Sequence, residues 1–195
     1  MDALIGVAGI VLAAAITPGP NNFVVMDAAT RHGLAGAVPA IVGVLLGSAA
    51  LITVVLAGAG AAFDAEPRLR MVISWGGGLY LVARGATLAL WRSRPDQAKT
   101  RRTSAVGLFG FQFLNPKAWV TALTAASAFP AHSAGIAASA YLLALFVLVP
   151  AACLILWSSL GWFLTGYLAR PRARRWFDRA MGCLLILSAG LLLKS

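Results

Sequence analysis

Charge is what this sequence has least of. Only 11% of its 195 residues are Asp, Glu, Lys or Arg, while 60% are hydrophobic. A soluble domain carries about 25% charged residues to face water, so that class is excluded. Two cysteines, Cys153 and Cys183, both sit in apolar stretches, which excludes a disulfide scaffold. No CxxC pair or histidine-rich cluster points to zinc, and no cofactor is expected. HExxH and GxxxxGK[ST] are both missing, and neither His32 nor His132 lies beside a candidate nucleophile. An enzyme is therefore not expected, nor is an ATP-driven pump.

What is there is a succession of apolar runs, near 3–26, 38–62, 71–91, 105–129, 136–164 and 180–193. A bilayer crossing takes about 20 apolar residues, so these predict six transmembrane helices. The first run follows "MD", and no basic residue precedes Arg31, so it reads as a span and not as a signal peptide.

The net charge of +10 is unevenly placed. Arg92, Arg94, Lys99, Arg101 and Arg102 separate runs three and four; Arg170, Arg172, Arg174, Arg175 and Arg179 separate runs five and six. With six spans these two loops share a side with Arg31. The other side has Arg68, Arg70 and Lys194, offset by Asp2, Asp64 and Glu66. Positive loops stay cytoplasmic, so both termini are expected outside. The basic charge reports topology; nucleic acid is not the expected partner.

A single membrane transporter domain over 1–195 is expected, split by the polar linker 92–104 into halves of about 1–91 and 105–195. Three spans per half would insert the second copy upside down. Each half breaks its first span with proline: "TPGPNN" at 17–22 and "NPK" at 115–117, Pro18 and Pro116 lying 98 positions apart. Inverted repeats with interrupted helices at matching places point to a transport site. The fold expected is thus all-α and polytopic, two inverted three-helix repeats with helices one and four broken.

The breaks carry the chemistry. Pro18 and Pro20 lack amide hydrogens, and each disfavours helix at the residue before it. Carbonyls around Ala14 to Ile16 lose their partners, which hydrocarbon tolerates only against protein or a wet cavity. Thr17 or Asn21, and Asn115, are candidate helix caps, with proline as a favourable first helical residue. A helix N-terminus suits a carboxylate, and freed carbonyls suit an ammonium. Lys117 lies about 12 residues into its span, roughly 18 Å deep at helical rise. Burial there costs about 2.5–3.5 kcal/mol, which marks it as functional, with Gln112, Asn115 and Thr121 for company. Asp27 is either an interfacial partner of Arg31 or a proton-coupling carboxylate, and Arg84 is expected to snorkel toward the basic loop.

These residues resemble the LysE/RhtB superfamily of bacterial amino-acid exporters. The resemblance rests on "TPGPNNFVVMDAATRHGLAGAVPAIVGVLLG", "WGGGLYLVARG" and "FLNPKAW". It implies a six-span secondary exporter of amino acids or their derivatives in the bacterial inner membrane, driven by proton antiport, with the cysteine/O-acetylserine branch nearest in detail. Within the superfamily, export of a metal or other cation is the alternative. The motif positions carried over are Thr17, Pro18, Gly19, Pro20, Asn21, Asn115, Pro116 and Lys117. Asn22 and Gln112 join them as substrate-binding candidates, and Asp27 and Lys117 as candidates for proton coupling. Arg84 departs from the apolar residue usual there. Partners implied are the substrate and lipid, with a homo-oligomer left open.

Overall fold

The computed structural model describes residues 2–59, 65–90, 104–128 and 131–192. Residues 92–103 of the basic linker, Asp64 and Lys194 lie outside the described residues, as do the side chains of Arg84 and His132. Among the described residues every regular element is helical. The helices are α1 (Asp2–Ile16), α2 (Pro20–Val54, running on through a π-helical turn, Val55–Ala59), α3 (Pro67–Leu90) and α4 (Ala105–Leu114). They continue as α5 (Pro116–Ala128), α6 (Ala131–Phe163), the single turn α7 (Thr165–Leu168) and α8 (Pro171–Leu192).

Two of the long helices hide a corner. Gly33 inside α2 has φ 73° and ψ 179°, and Gly135 inside α6 has φ 75° and ψ −165°. No side chain tolerates that backbone cheaply, so glycine marks where the chain turns and a new helical segment begins. Prolines at 39 and 150, by contrast, are absorbed within continuing helix. By length and composition, Pro20–Ala59 and Gly135–Phe163 are each long and apolar enough to cross a bilayer.

The buried core is mainly apolar, and large apolar side chains also face outward. Among the described residues Asn22, Ser48, Gln112, Asn115, Ser158 and Asp178 are the buried polar ones, while Trp75, Leu79, Leu148 and Phe163 are exposed. Such a belt of exposed large apolar side chains fits hydrocarbon surroundings. α2 packs mainly on α6 and α4, and α3 packs on α8. Small residues set these distances. A methyl at Gly43 would strike the carbonyl of Ala105, and one at Gly161 the carbonyl of Met26. Gly85 and Gly182 face one another, each blocked by the other's carbonyl oxygen.

The apolar runs understate two helices. The first run ends at 26 and the last begins at 180, yet helix continues past Asp27 and Arg31 and starts already at Pro171. Pairing among the charged residues explains both extensions. Asp27 accepts from Arg31 Nε at 2.9 Å and from Arg174 across the bundle, and Arg174 also pairs with Asp178 at 3.0 Å.

Candidate functional site

Break one is three residues long. α1 ends at Ile16, Gly19 holds the cap position with extended backbone, and Pro20 is the first helical residue of α2. Neither Thr17 nor Asn21 is the cap expected from sequence, and Gly19 makes no side-chain cap bond. Thr17 instead turns back, its Oγ1 donating to the carbonyl of Ala13. The carbonyls exposed by the break meet a buried amide. Asn22 Nδ2 donates to Ala15 O at 2.8 Å and to Thr17 O at 3.0 Å. That satisfies two backbone acceptors that would cost several kcal/mol if left bare in hydrocarbon. Asn22 is therefore a splint for the break as well as a residue of the cavity wall.

Break two is one residue long. Pro116 has no N–H for the carbonyl of Gln112, which the amide of Asn115 takes instead at 3.3 Å. The Asn115 carbonyl then accepts the first bonds of α5, from Ala118 N at 2.9 Å and Trp119 N at 3.2 Å. Trp119 Nε1 bridges back to the Phe113 carbonyl at 2.9 Å. Gly77 of α3 lets this corner sit close, since a methyl there would strike the Leu114 carbonyl and the Pro116 ring. At the two breaks, the prolines that restart the helix are thus Pro20 and Pro116. Pro18, paired with Pro116 by sequence, lies inside the break.

The two breaks meet at one cavity. Thr17, Gly19, Pro20, Asn21 and Asn22 line it from the first; Asn115, Lys117, Ala118 and Thr121 line it from the second. Val11, Ala14 and Ala15 of α1, Val44 and Ser48 of α2, and Phe146, Pro150 and Leu154 of α6 complete its wall. Lys117 alone among these lining residues is ionisable. Its Nζ donates to the Thr17 carbonyl at 3.2 Å, so the lysine of one broken helix reaches the gap in the other. Pro18, Gln112 and Pro116 are not in the wall. Gln112 lies one layer behind it, 1% exposed, holding Asn21 and Asn115. Sequence reasoning missed Ser48, Val44 and the α6 residues. A signal for them existed: Val44 and Phe146, like Ser48 and Pro150, are 102 positions apart, the spacing of Gly33 and Gly135.

Asp27 is not in the cavity wall. It belongs to the charged cluster with Arg31, Arg174 and Asp178, where Arg174 also lies over the Phe177 ring at 5.9 Å. Burial alone would lower the Arg174 guanidinium, but Asp27 and Asp178 outweigh it and hold the charge. For Asp178, burial dominates and pushes the carboxyl up despite Arg174 beside it. Cys153 is buried and Cys183 exposed, and neither lines the cavity. No cluster of three or more His, Cys, Asp or Glu occurs among the described residues.

The arrangement offers helix N-termini and a lysine to an anion, and amide and carbonyl oxygens to a donor, in a site walled by apolar side chains. Comparison with known proteins identifies a translocator family. The LysE type translocator family model matches residues 12–195. The chain is 32% identical over 121 residues to the cysteine/O-acetylserine efflux protein of Salmonella choleraesuis, and likewise to the protein of that name in Escherichia coli O1:K1. Each match covers 60% of this chain and 60% of the relative. No solved structure matches. With nearly the whole chain matched, including both broken helices, the protein belongs to the LysE type translocator family.

Proposed function

We propose that this protein is a secondary exporter of small amino acids or their derivatives across the bacterial inner membrane, coupled to protons entering by antiport. The observation that carries this reading is the convergence of two helix breaks, with Asn21, Asn22, Asn115 and Lys117, on one cavity. A substrate carboxylate is received by Lys117 and the first-turn N–H groups of α5 and of α2. Lys117 is also the proton carrier, being the one ionisable group of that wall.

The fold proposed with it is six spans in two inverted repeats with both termini outside. Pro20 and Pro116 are 96 positions apart, Gly85 and Gly182 are 97, and Gly33 and Gly135 are 102. Each pair shares a role: starting a half-helix, touching its counterpart across the bundle, or turning the chain. Alternating access is then a rocking of one repeat against the other around the shared cavity. The relatives' efflux of cysteine and O-acetylserine supports a small, polar amino acid as cargo.

The test is counterflow in proteoliposomes with labelled amino acids, with and without a pH gradient. Small amino acids should exchange, and inward-directed protons should raise export. A flat panel removes the exporter reading; exchange indifferent to the gradient removes proton coupling.

A further inference from the structure

The hydrogen bonds behind the cavity run in one forced direction. The carbonyl of Val44 can only accept, so the amide nitrogen of Gln112, 3.3 Å away, must face it. The same Nε2 donates to Ser48 Oγ at 2.9 Å. Gln112 Oε1 therefore points the other way, where it needs donors. It receives two, Asn21 Nδ2 at 3.1 Å and Asn115 Nδ2 at 3.3 Å. Both asparagines must consequently turn their oxygens away from Gln112. Asn21 Oδ1 and Asn115 Oδ1 are both buried with no hydrogen-bond partner among the described residues, and Asn115 is only 3% exposed.

A buried acceptor left bare is costly, and two of them stand at the starts of the two half-helices that line one cavity. Neither can serve a carboxylate, which brings no hydrogen to donate. An ammonium brings three. We infer that Gln112 orients Asn21 and Asn115 so that their two amide oxygens form a seat for the ammonium of the cargo. The seat selects molecules that keep a free amino group, while Lys117 and the helix N-termini take the carboxylate. Gln112 is here a positioning residue: it does not line the cavity, but its bonds to Asn21 and Asn115 fix which way each amide is turned. This rests on the exporter reading above and adds to it a division of labour within the site.

The experiment compares two isomers, O-acetylserine and N-acetylserine, in counterflow at mildly acidic pH where acyl migration is slow. They contain the same atoms, but only the first has an ammonium. Wild-type protein should prefer O-acetylserine by about 10- to 100-fold, the worth of a charge-assisted hydrogen bond to a buried group. Asn115→Leu should raise the KM for O-acetylserine by a similar factor without weakening N-acetylserine. Gln112→Met, which frees both asparagines to turn over, should bring the preference toward unity. Membrane insertion and Tm, read on each variant, separate loss of the seat from loss of the fold. Should Gln112→Met fail to insert, the wild-type preference and Asn115→Leu decide. Equal transport of both isomers by wild type overturns the ammonium seat and leaves the exporter standing. A preference unchanged in Asn115→Leu and in a well-inserted Gln112→Met overturns it too. If wild type moves no amino acid at all, the exporter reading falls, and the seat with it.

Discussion

Lys117 Nζ lies 3.2 Å from the Thr17 carbonyl, so the gap in the first broken helix is closed by a side chain from the second. Thr17 O also takes the Asn22 amide at 3.0 Å, which leaves the lysine as the partner that can depart without baring the carbonyl. An ammonium tied to a backbone acceptor at one edge of a cavity can turn toward a carboxylate arriving in it.

Lys117→Met should therefore spare the fold and cripple transport. If Lys117 lies as deep in the bilayer as the sequence predicts, its removal relieves an insertion cost of about 2.5–3.5 kcal/mol, and Asn22 still covers Thr17 O. Counterflow should slow by about 10- to 100-fold, the loss of one charge-assisted bond to the carboxylate. Thermal unfolding in detergent should show an unchanged or raised Tm. A variant that unfolds early while retaining its rate per folded molecule would make Lys117 structural.

Gly85→Val and Gly182→Val should be similarly damaging. Each glycine's missing side chain makes room for the other's carbonyl oxygen, so the α3–α8 crossing is tight from both sides. Overpacking of this kind costs about 1–3 kcal/mol. Thermal unfolding should show a lowered Tm for both variants, Gly85→Val meeting Ile186 and Leu185 besides the Gly182 carbonyl, and Gly182→Val meeting Ala89 besides the Gly85 carbonyl. An unchanged Tm in either would mean that the crossing is not tight there. Gly76, with nothing within 4 Å of an added methyl, is the control and should accept alanine freely.

How much of this was legible in the sequence depends on which physics each residue obeys. Covalent constraints are local, so the density of proline and asparagine at 17–22 and 115–117 disclosed both breaks. The same local rule chooses Pro20 over Pro18 as the helix start, since Pro20 disfavours helix at Gly19, which stays extended and caps α2. Gln112 shows the limit of local rules. Its identity announced a polar role, but only the Val44 and Ser48 contacts set it one layer behind the cavity. Hydropathy runs stop at charge, which is why they missed the helical turns carrying Asp27, Arg174 and Asp178. Those charges are stable there because they neutralise one another across the bundle, a fact no window of neighbouring residues contains.

Gly33→Ala and Gly135→Ala test the two corners. Both glycines sit in the left-handed region, at φ 73° and φ 75°, with nothing within 4 Å of an added methyl. Any loss therefore comes from the backbone and not from a collision. Each substitution should cost about 1–2 kcal/mol. Unfolding titrations that find either alanine neutral would mean that the chain turns there by another conformation.

Asp27→Asn separates two roles open to that carboxylate. As a clamp, it joins the end of the first broken helix to the start of α8 by accepting from Arg31 and Arg174, each pair roughly a fifth exposed. As a proton carrier, it would need a route into the cavity, whose wall it does not join. The clamp role predicts a loss of about 1–3 kcal/mol, below the value for a fully buried pair because solvent screens part of it. It also predicts that stimulation of export by a pH gradient survives in Asp27→Asn while the maximal rate changes. Reversing the pair, Asp27→Arg with Arg174→Asp, should recover part of that stability, although Arg31 and Asp178 keep their original signs and oppose it. Loss of the gradient's effect in Asp27→Asn, with stability intact, would move proton coupling from Lys117 to Asp27. The two variants measured side by side therefore assign the coupling group, because Lys117→Met should lose gradient dependence and Asp27→Asn should keep it.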